Sequence, residues 1–290
     1  MYNIYIHLRS DVYIMNNQYH RKTLVGTDAD HPLIQTAVTM LDTVEQAITN
    51  VANGTITIAE YINQITPYDR FMWEEWHRLP QKSNPINIGQ NKKYSTWREM
   101  KWAPIFELVR KAIQPIWKDV KLVVIQNRPV VETVYSNGYI AYKDVDGGLG
   151  IETTINNQSV LVPVIAVEDK GGHACSTCFN GVNAQGLRLH QSFPNSKHVF
   201  ITDNNISVGK DKGTEIADNI NIVISERGTN KKKEAYPELK AERFQEVKDG
   251  IISKLTKMAS KDFTDYTVIS STSTSTLRAS VEQTGIVWNW

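Results

Sequence analysis

The chain has 290 residues, of which 41% are hydrophobic and 22% are charged. That composition excludes fibrous and intrinsically disordered proteins. Thirty-two Lys and Arg residues against 31 Asp and Glu residues give a net charge of +1, so the overall charge indicates no particular partner. The chain has two cysteines, no apolar run near the ~18 residues of a membrane span and no recognisable signal peptide, so we expect a soluble cytoplasmic protein without membrane contact.

Residues 1–125 are predicted to be mainly helical. Apolar residues recur at helical spacing from His31 to Asn50, and Thr55 to Ile65 is a shorter helix of the same kind. Thr96 and Glu99 have the spacing of a capping box, which predicts that a helix from Pro104 to Trp117 begins after them.

Strand patterns begin at Pro129. Two runs rich in β-branched and aromatic residues, Val130 to Tyr135 and Tyr139 to Lys143, predict a hairpin. A second hairpin is predicted from Leu149 to Ile155 and from Val160 to Val167. Its last strand is apolar at almost every position, which is typical of a strand inside a sheet.

The rest of the chain completes an α/β pattern. Helical or loop character is predicted between residues 174 and 191, followed by strands from Lys197 to Thr202 and from Asn219 to Ser225 and a helix from Pro237 to about Ser260. We expect a single domain over residues 1–290, with a mixed central β-sheet flanked by helices and an N-terminal helical part. Residues 126–225 hold the hairpins, a helix and the strands, and residues 226–290 form a C-terminal helix and strands.

Three ionisable residues are predicted to meet at the open end of the second hairpin. Facing residues in an antiparallel hairpin have a constant index sum, so a turn centred on residue 157 places Asp146 opposite Glu168. Lys170 shares the face of Glu168, whereas Asp169 points the other way. Two carboxylates at the end of a buried strand need a cation, and their oxygen ligands suit Mg²⁺. The pattern favours metal-assisted hydrolysis of a phosphodiester.

Alternatives remain open at this site. Pro163 interrupts the strand, and a bulge there would shift the register so that Asp144 competes with Asp146 for the metal. Glu152 is a weaker competitor because it lies deeper along the hairpin. A simple ion pair at the rim of the sheet also explains a Glu-x-Lys motif at a strand end.

The run Asp146-Gly147-Gly148, followed by Val164 to Lys170, resembles the active-site hairpin of the PD-(D/E)XK nuclease superfamily, and most closely that of EcoRI-type restriction endonucleases. The resemblance covers residues 140–225, with Val145 in place of the family's proline. It implies a five-stranded mixed sheet flanked by helices, Mg²⁺-dependent cleavage of double-stranded DNA, and a homodimer acting on a short palindromic site. It also implies that Asp146, Glu168 and the carbonyl of Asp169 hold the metal, and that Lys170 assists the attacking water.

Polar residues beyond Lys170 are predicted to contact DNA. In the major groove, Arg pairs with guanine and Asn or Gln pairs with adenine, so Arg188 and Asn183 are the preferred base-reading residues. Turn capping or simple solvent exposure is the alternative for each residue. The predicted set is His173, Asn180, Asn183, Gln185, Arg188 and Gln191.

A zinc site is a second interpretation of the same segment, less favoured than a pair of small, partly buried thiols. His173, Cys175, Cys178 and His190 offer two thiolates and two imidazoles, although their spacing is not that of a standard zinc finger. The leading hypothesis is a type II restriction endonuclease. The alternatives are a non-catalytic nucleic-acid-binding module, stabilised by zinc, and a DNA repair nuclease with little sequence preference.

Overall fold

The computed structural model describes residues 17–77, 84–86, 92–170, 185–202, 221–225, 227 and 236–270. Within these ranges, four N-terminal helices precede a mixed β-sheet with a hydrophobic cluster on each face. The predicted α/β class, with a helical N-terminal part and a mixed sheet flanked by helices, is confirmed. No helix in this part of the chain combines the length and the apolar character that a bilayer span requires.

Among the four N-terminal helices, the second is clearly amphipathic. The second of them begins where Pro32 occupies the first helical position and the His31 side chain accepts a hydrogen bond from the amide of Leu33. Its apolar residues fall on one buried face, as their spacing predicts. The four helices are α1 (Asn17–Val25), α2 (Pro32–Ala52), α3 (Ile58–His77) and α4 (Lys92–Ile113).

The predicted start of the fourth helix is wrong. Helix α4 begins at Lys92, so Thr96 lies inside the helix rather than capping it. Pro104 is accommodated in the helix interior, where it removes one backbone donor. A capping box does occur at α3, where the Thr57 hydroxyl accepts from the Glu60 amide and the Glu60 carboxylate accepts from the Thr57 amide.

The sheet combines antiparallel and parallel halves. Strands β1, β2 and β3 form an antiparallel meander, β4 and β5 run parallel to β3, and β6 runs parallel to β1. The spatial order is β5-β4-β3-β2-β1-β6, and the carboxyl ends of β3, β4 and β5 therefore meet at one edge. The strands are β1 (Lys121–Tyr135), β2 (Ile140–Ile155), β3 (Gln158–Lys170), β4 (Lys197–Thr202), β5 (Asn221–Ser225) and β6 (Val268–Ile269).

The turn between β2 and β3 contains two residues. Asn156 and Asn157 both have positive φ, and they connect the paired residues Ile155 and Gln158. Asparagine tolerates this left-handed conformation, which two-residue hairpin turns require. The turn thus lies half a residue before the centre that the sequence predicts.

A bulge on β3 restores the predicted register. Gly150 pairs with Pro163 but Leu149 pairs with Ile165, so Val164 is an extra residue on β3. The bulge that Pro163 left open as an alternative is therefore present. Its effect is to keep the predicted pairing at the open end of the hairpin, because it compensates for the earlier turn.

Helices cover both faces of the sheet. Residues 185–192 form a helix, here α5, and two further helices are α6 (Ala241–Leu255) and α7 (Lys261–Thr264). Leu189 of α5 and the following Phe193 join the hydrophobic cluster of one face. The N-terminal helices and α6 cover the other face, where Trp102 stacks on Phe244 with ring centroids 4.0 Å apart.

Gly148 is a position on β2 that does not tolerate a side chain. Its φ is +128°, and a Cβ atom there would lie 1.9 Å from the carbonyl oxygen of Ile165 on β3. We expect Gly148→Ala to lower the free energy of unfolding by about 1–3 kcal/mol, because the two strands must separate locally. The matched control is Gly250 in α6, which has open space around it. Gly250→Ala should raise stability by about 0.5–1 kcal/mol in the same urea titrations; destabilisation of similar size by both variants would contradict the prediction.

Candidate active site

The candidate active site lies where β2 and β3 diverge. The ladder between β2 and β3 ends at the pair Gly147 and Val167. Beyond this pair, the described part of β2 pairs with β1 alone, and the end of β3 pairs with β4 alone. We call this region, residues 145–147 of β2 and 167–170 of β3, the β2–β3 fork. Asp146 and Glu168 are the next residues beyond that last pair, one on each strand, and the Asp146 carboxylate accepts a hydrogen bond from the backbone amide of Asp169 at 2.7 Å. The fork therefore holds two carboxylate residues at the end of a buried strand.

Glu168 forms a salt bridge with Lys143 of β2. The Lys143 and Glu168 side chains are 16% and 6% exposed, so the pair is largely removed from water. Lys143 does not pair with Glu168 in the strand register but reaches it diagonally across the fork. The index-sum rule could not reveal this contact, and the sequence signal was no more than a lysine shortly before Asp146.

Asp169 points away from Glu168, as predicted, and contacts helix α4. Its carboxylate forms a salt bridge with Arg98, and the Arg98 and Asp169 side chains are 3% and 2% exposed. The Arg98 guanidinium also lies over the ring of Tyr94, 5.8 Å from its centroid. This buried pair anchors the end of β3 to α4. It thereby positions the Asp169 backbone, whose amide bonds Asp146 and whose carbonyl is a predicted metal ligand.

Lys170 is the last residue of β3, where its backbone pairs with Thr202 of β4. Its side chain is outside the described part of the chain, so its role toward the attacking water stays a prediction. The competing ligand Asp144 is exposed on β2 and lies opposite Pro129. Glu152 lies toward the turn end of the hairpin and pairs there with Lys121.

A small open cleft adjoins the fork. It separates the strands β1 and β2 from helices α1 and α4. Glu99 of α4 lines the same cleft as Asp146, so a third carboxylate residue lies near the fork. The capping-box interpretation did not predict this position, because Glu99 lies about two helical turns inside α4. The cleft is lined by Tyr19, His20, Thr96, Glu99, Met100, Gln126, Asn127 and Asp146.

His20 forms part of the cleft wall and links three helices. Its Nδ1 lies 2.8 Å from the hydroxyl of Thr96, and its Nε2 lies 2.7 Å from the hydroxyl of Tyr68. Burial, assisted by the nearby charge of Arg21, lowers the pKa of His20 to about 3. His20 is therefore neutral near pH 7 and acts as a hydrogen-bonding link between α1, α3 and α4.

The depressed pKa of His20 predicts acid-sensitive stability. Between its ordinary pKa of 6.5 and about 3, the unfolded chain binds a proton that the native protein excludes. The free energy of unfolding should therefore fall as the pH decreases through this window, by up to about 1.4 kcal/mol per pH unit. We expect His20→Gln to flatten the slope, which urea titrations at several pH values will measure. An unchanged slope would assign the acid sensitivity to other groups.

Three of the predicted DNA-contacting residues lie on α5. Gln185, Arg188 and Gln191 are spaced three residues apart, which aligns them along one side of the helix. Arg188 is half exposed, and its Nε donates to Glu132 Oε1 on β1 at 3.0 Å. The remaining members of this set and the two cysteines of the zinc interpretation are outside the described residues: His173, Asn180, Asn183, Cys175 and Cys178.

The β2–β3 fork contains two carboxylates, a type of donor that Mg²⁺ prefers. The described residues contain no group of three or more His, Cys, Asp or Glu side chains arranged to hold a metal ion. Mg²⁺ commonly takes one or two protein carboxylates and completes its shell with water and substrate phosphates. Asp146 and Glu168 supply such a pair of hard oxygen donors. A structural zinc site needs four protein ligands, so it would have to draw on residues elsewhere in the chain.

Neither the protein-family models nor the curated protein sequences contain a match to this chain. Its function must therefore be inferred from the chemistry of the fork and from the motif that surrounds it.

Proposed function

We propose that this protein is a type II restriction endonuclease that hydrolyses phosphodiester bonds in double-stranded DNA with Mg²⁺ as cofactor. The observation that carries the proposal is the β2–β3 fork, where the Asp146 carboxylate of β2 accepts a hydrogen bond from the amide of Asp169, the residue after Glu168 on β3. Its Glu-x-Lys spacing and the Asp-Gly-Gly run support the same assignment. Further support comes from the antiparallel meander extended by parallel β4 and β5, which are five of the six strands, because the resemblance implies a five-stranded mixed sheet.

Each residue of the fork has a separate task in the proposed reaction. Asp146, Glu168 and the carbonyl of Asp169 hold Mg²⁺, which when bound supplies positive charge to polarise the scissile phosphoryl group. Lys170 orients the attacking water and helps to remove its proton. Arg98 touches none of the reacting atoms and acts through Asp169, whose backbone it positions.

Recognition of DNA is assigned to the segment that follows β3. We propose that Arg188 and Asn183 read bases and that a homodimer presents two forks to the halves of a palindrome. Arg188 is already paired with Glu132, so it must exchange that carboxylate for a guanine edge when DNA binds. Two-pronged pairing with guanine offers the guanidinium two acceptors, which makes this exchange chemically reasonable.

Digestion of a long phage DNA with the purified protein tests the proposal. With Mg²⁺ we expect discrete fragments that share one terminal sequence, and in EDTA we expect no cleavage. A smear of fragments would favour the low-specificity repair nuclease. Absence of Mg²⁺-dependent cleavage would contradict a nuclease function, and stoichiometric zinc in the same preparation would then favour the zinc-stabilised binding module.

A further inference from the structure

We infer that Lys143 is a positioning residue of the fork whose ammonium group competes with the divalent cation for Glu168. By this competition Lys143 lowers the affinity of the DNA-free protein for Mg²⁺. The inference rests on the proposed function, since it concerns the same metal site. It is carried by the Lys143–Glu168 salt bridge at the fork.

The burial of this pair distinguishes it from an ordinary surface salt bridge. The Glu168 side chain is 6% exposed, so its negative charge is poorly hydrated and needs a nearby cation. The hairpin offers an internal comparison in Lys121 and Glu152, which form a 2.7 Å salt bridge with side chains 60% and 31% exposed. Exposed pairs of that kind contribute little, because water and salt screen them. Removal of Lys143 should therefore affect its partner much more than removal of Lys121.

Competition follows from the charges of the two cations. A Mg²⁺ ion held by Glu168 would share that carboxylate with the Lys143 ammonium, and two positive charges repel strongly in a poorly hydrated site. Binding of the ion therefore requires Lys143 to leave Glu168 or to weaken its contact. The free energy needed to displace Lys143 makes the net free energy of metal binding less favourable, so the affinity for the metal is lower.

DNA offers Lys143 a replacement partner. The backbone phosphate that approaches the metal carries a negative charge, and the flexible lysine side chain can transfer to it from Glu168. The metal then displaces Lys143 at a lower cost when DNA is present. By linkage, DNA strengthens metal binding and the metal strengthens DNA binding by the same factor. Lys143 thus favours assembly of the cleavage-competent site on DNA over metal binding by the free protein.

Calorimetric titration of the full chain with Mn²⁺, without DNA, tests this role. Mn²⁺ shares the preference of Mg²⁺ for carboxylate oxygen and water. We expect Lys143→Met to bind Mn²⁺ about tenfold more tightly than the wild type. Lys143→Arg retains the positive charge and should bind like the wild type, as should the control Lys121→Met. Unchanged or weaker binding by Lys143→Met would overturn the inference and leave Lys143 a merely structural partner.

Asp146→Asn, titrated in parallel, separates failure of this inference from failure of the proposed function. Loss of Mn²⁺ binding in Asp146→Asn together with wild-type affinity in Lys143→Met would overturn the role of Lys143 alone. Full Mn²⁺ binding by Asp146→Asn would overturn the metal site itself. Thermal denaturation gives a second readout, since Mn²⁺ should raise the melting temperature of Lys143→Met more than that of the wild type. If Lys143→Met does not fold, the smaller change Lys143→Gln serves in both measurements.

Discussion

Glu168→Gln is expected to lower the rate of DNA cleavage by about 10³-fold or more while leaving DNA binding largely intact. The substitution removes one of the two carboxylates at the fork but keeps the size of the side chain. Its amide oxygen can still accept a hydrogen bond from Lys143, so the buried contact that Glu168 makes is partly retained. The loss should therefore lie in the metal-dependent step rather than in folding.

Single-turnover cleavage with saturating enzyme measures the first part of this prediction, and gel mobility shift without Mg²⁺ measures the second. Glu152→Gln is the matched control, because Glu152 lies on the same hairpin but pairs with Lys121 far from the fork. Lys170→Ala should behave like Glu168→Gln. Near-normal turnover in Glu168→Gln would remove Glu168 from the reaction.

Asp69→Ala is expected to destabilise the protein by about 3–5 kcal/mol, the largest stability effect that we anticipate. Asp69 is fully buried in α3 and accepts from Trp97 at 2.8 Å and from Tyr236 at 2.6 Å. It also pairs with Arg227 at 2.7 Å and with Lys101 at 3.4 Å. Removal of the carboxylate leaves both buried cations without this counter-charge and loosens the contact of residues 227 and 236 with α3 and α4.

The control for Asp69 is Asp42, whose exposed carboxylate pairs with Arg21 at 2.6 Å. Asp42→Ala should lower the free energy of unfolding by no more than about 1 kcal/mol.

Burial acts to raise the pKa of Asp69, but the charges of Arg227 and Lys101 outweigh it and lower the pKa to about 2. Its stabilising contribution is therefore complete above the ordinary pKa of 3.8 and is lost as the pH falls toward about 2. Urea denaturation measures both effects, and equal costs for Asp69→Ala and Asp42→Ala would contradict the prediction.

Local patterns predict the elements of this fold better than their boundaries. Helix α2 and strand β4 follow directly from periodicity, since each is specified by its own residues. The start of α4 does not, because Pro104 resembles a helix start locally while tertiary packing extends the helix back to Lys92. Strand β1 likewise begins at Lys121, before the predicted start at Val130, and it includes the β-branched residues Val123, Val124 and Ile125.

In the candidate site, too, local patterns predict some features, whereas others depend on tertiary packing. Hairpin arithmetic predicts that Asp146 lies opposite Glu168, because facing residues of an antiparallel pair have a constant index sum. The predicted register is observed up to the pair Gly147 and Val167, although the turn lies half a residue earlier than predicted. The extra residue Val164 on β3 compensates for that shift. Arg98 and Asp169 are 71 residues apart in the chain, so their salt bridge depends on how α4 packs against the sheet. No local spacing rule could reveal that contact, nor the presence of Glu99 in the cleft beside Asp146.

The central claim is that the β2–β3 fork holds a divalent cation between Asp146 and Glu168. A crystal structure of the protein soaked with Mn²⁺ tests it most directly, because anomalous scattering locates the ion independently of the protein atoms. We expect an anomalous peak coordinated by carboxylate oxygens of both residues, with Lys143 displaced from Glu168. A fork that remains closed by the Lys143–Glu168 salt bridge, with Mn²⁺ absent or bound only elsewhere, would contradict the claim.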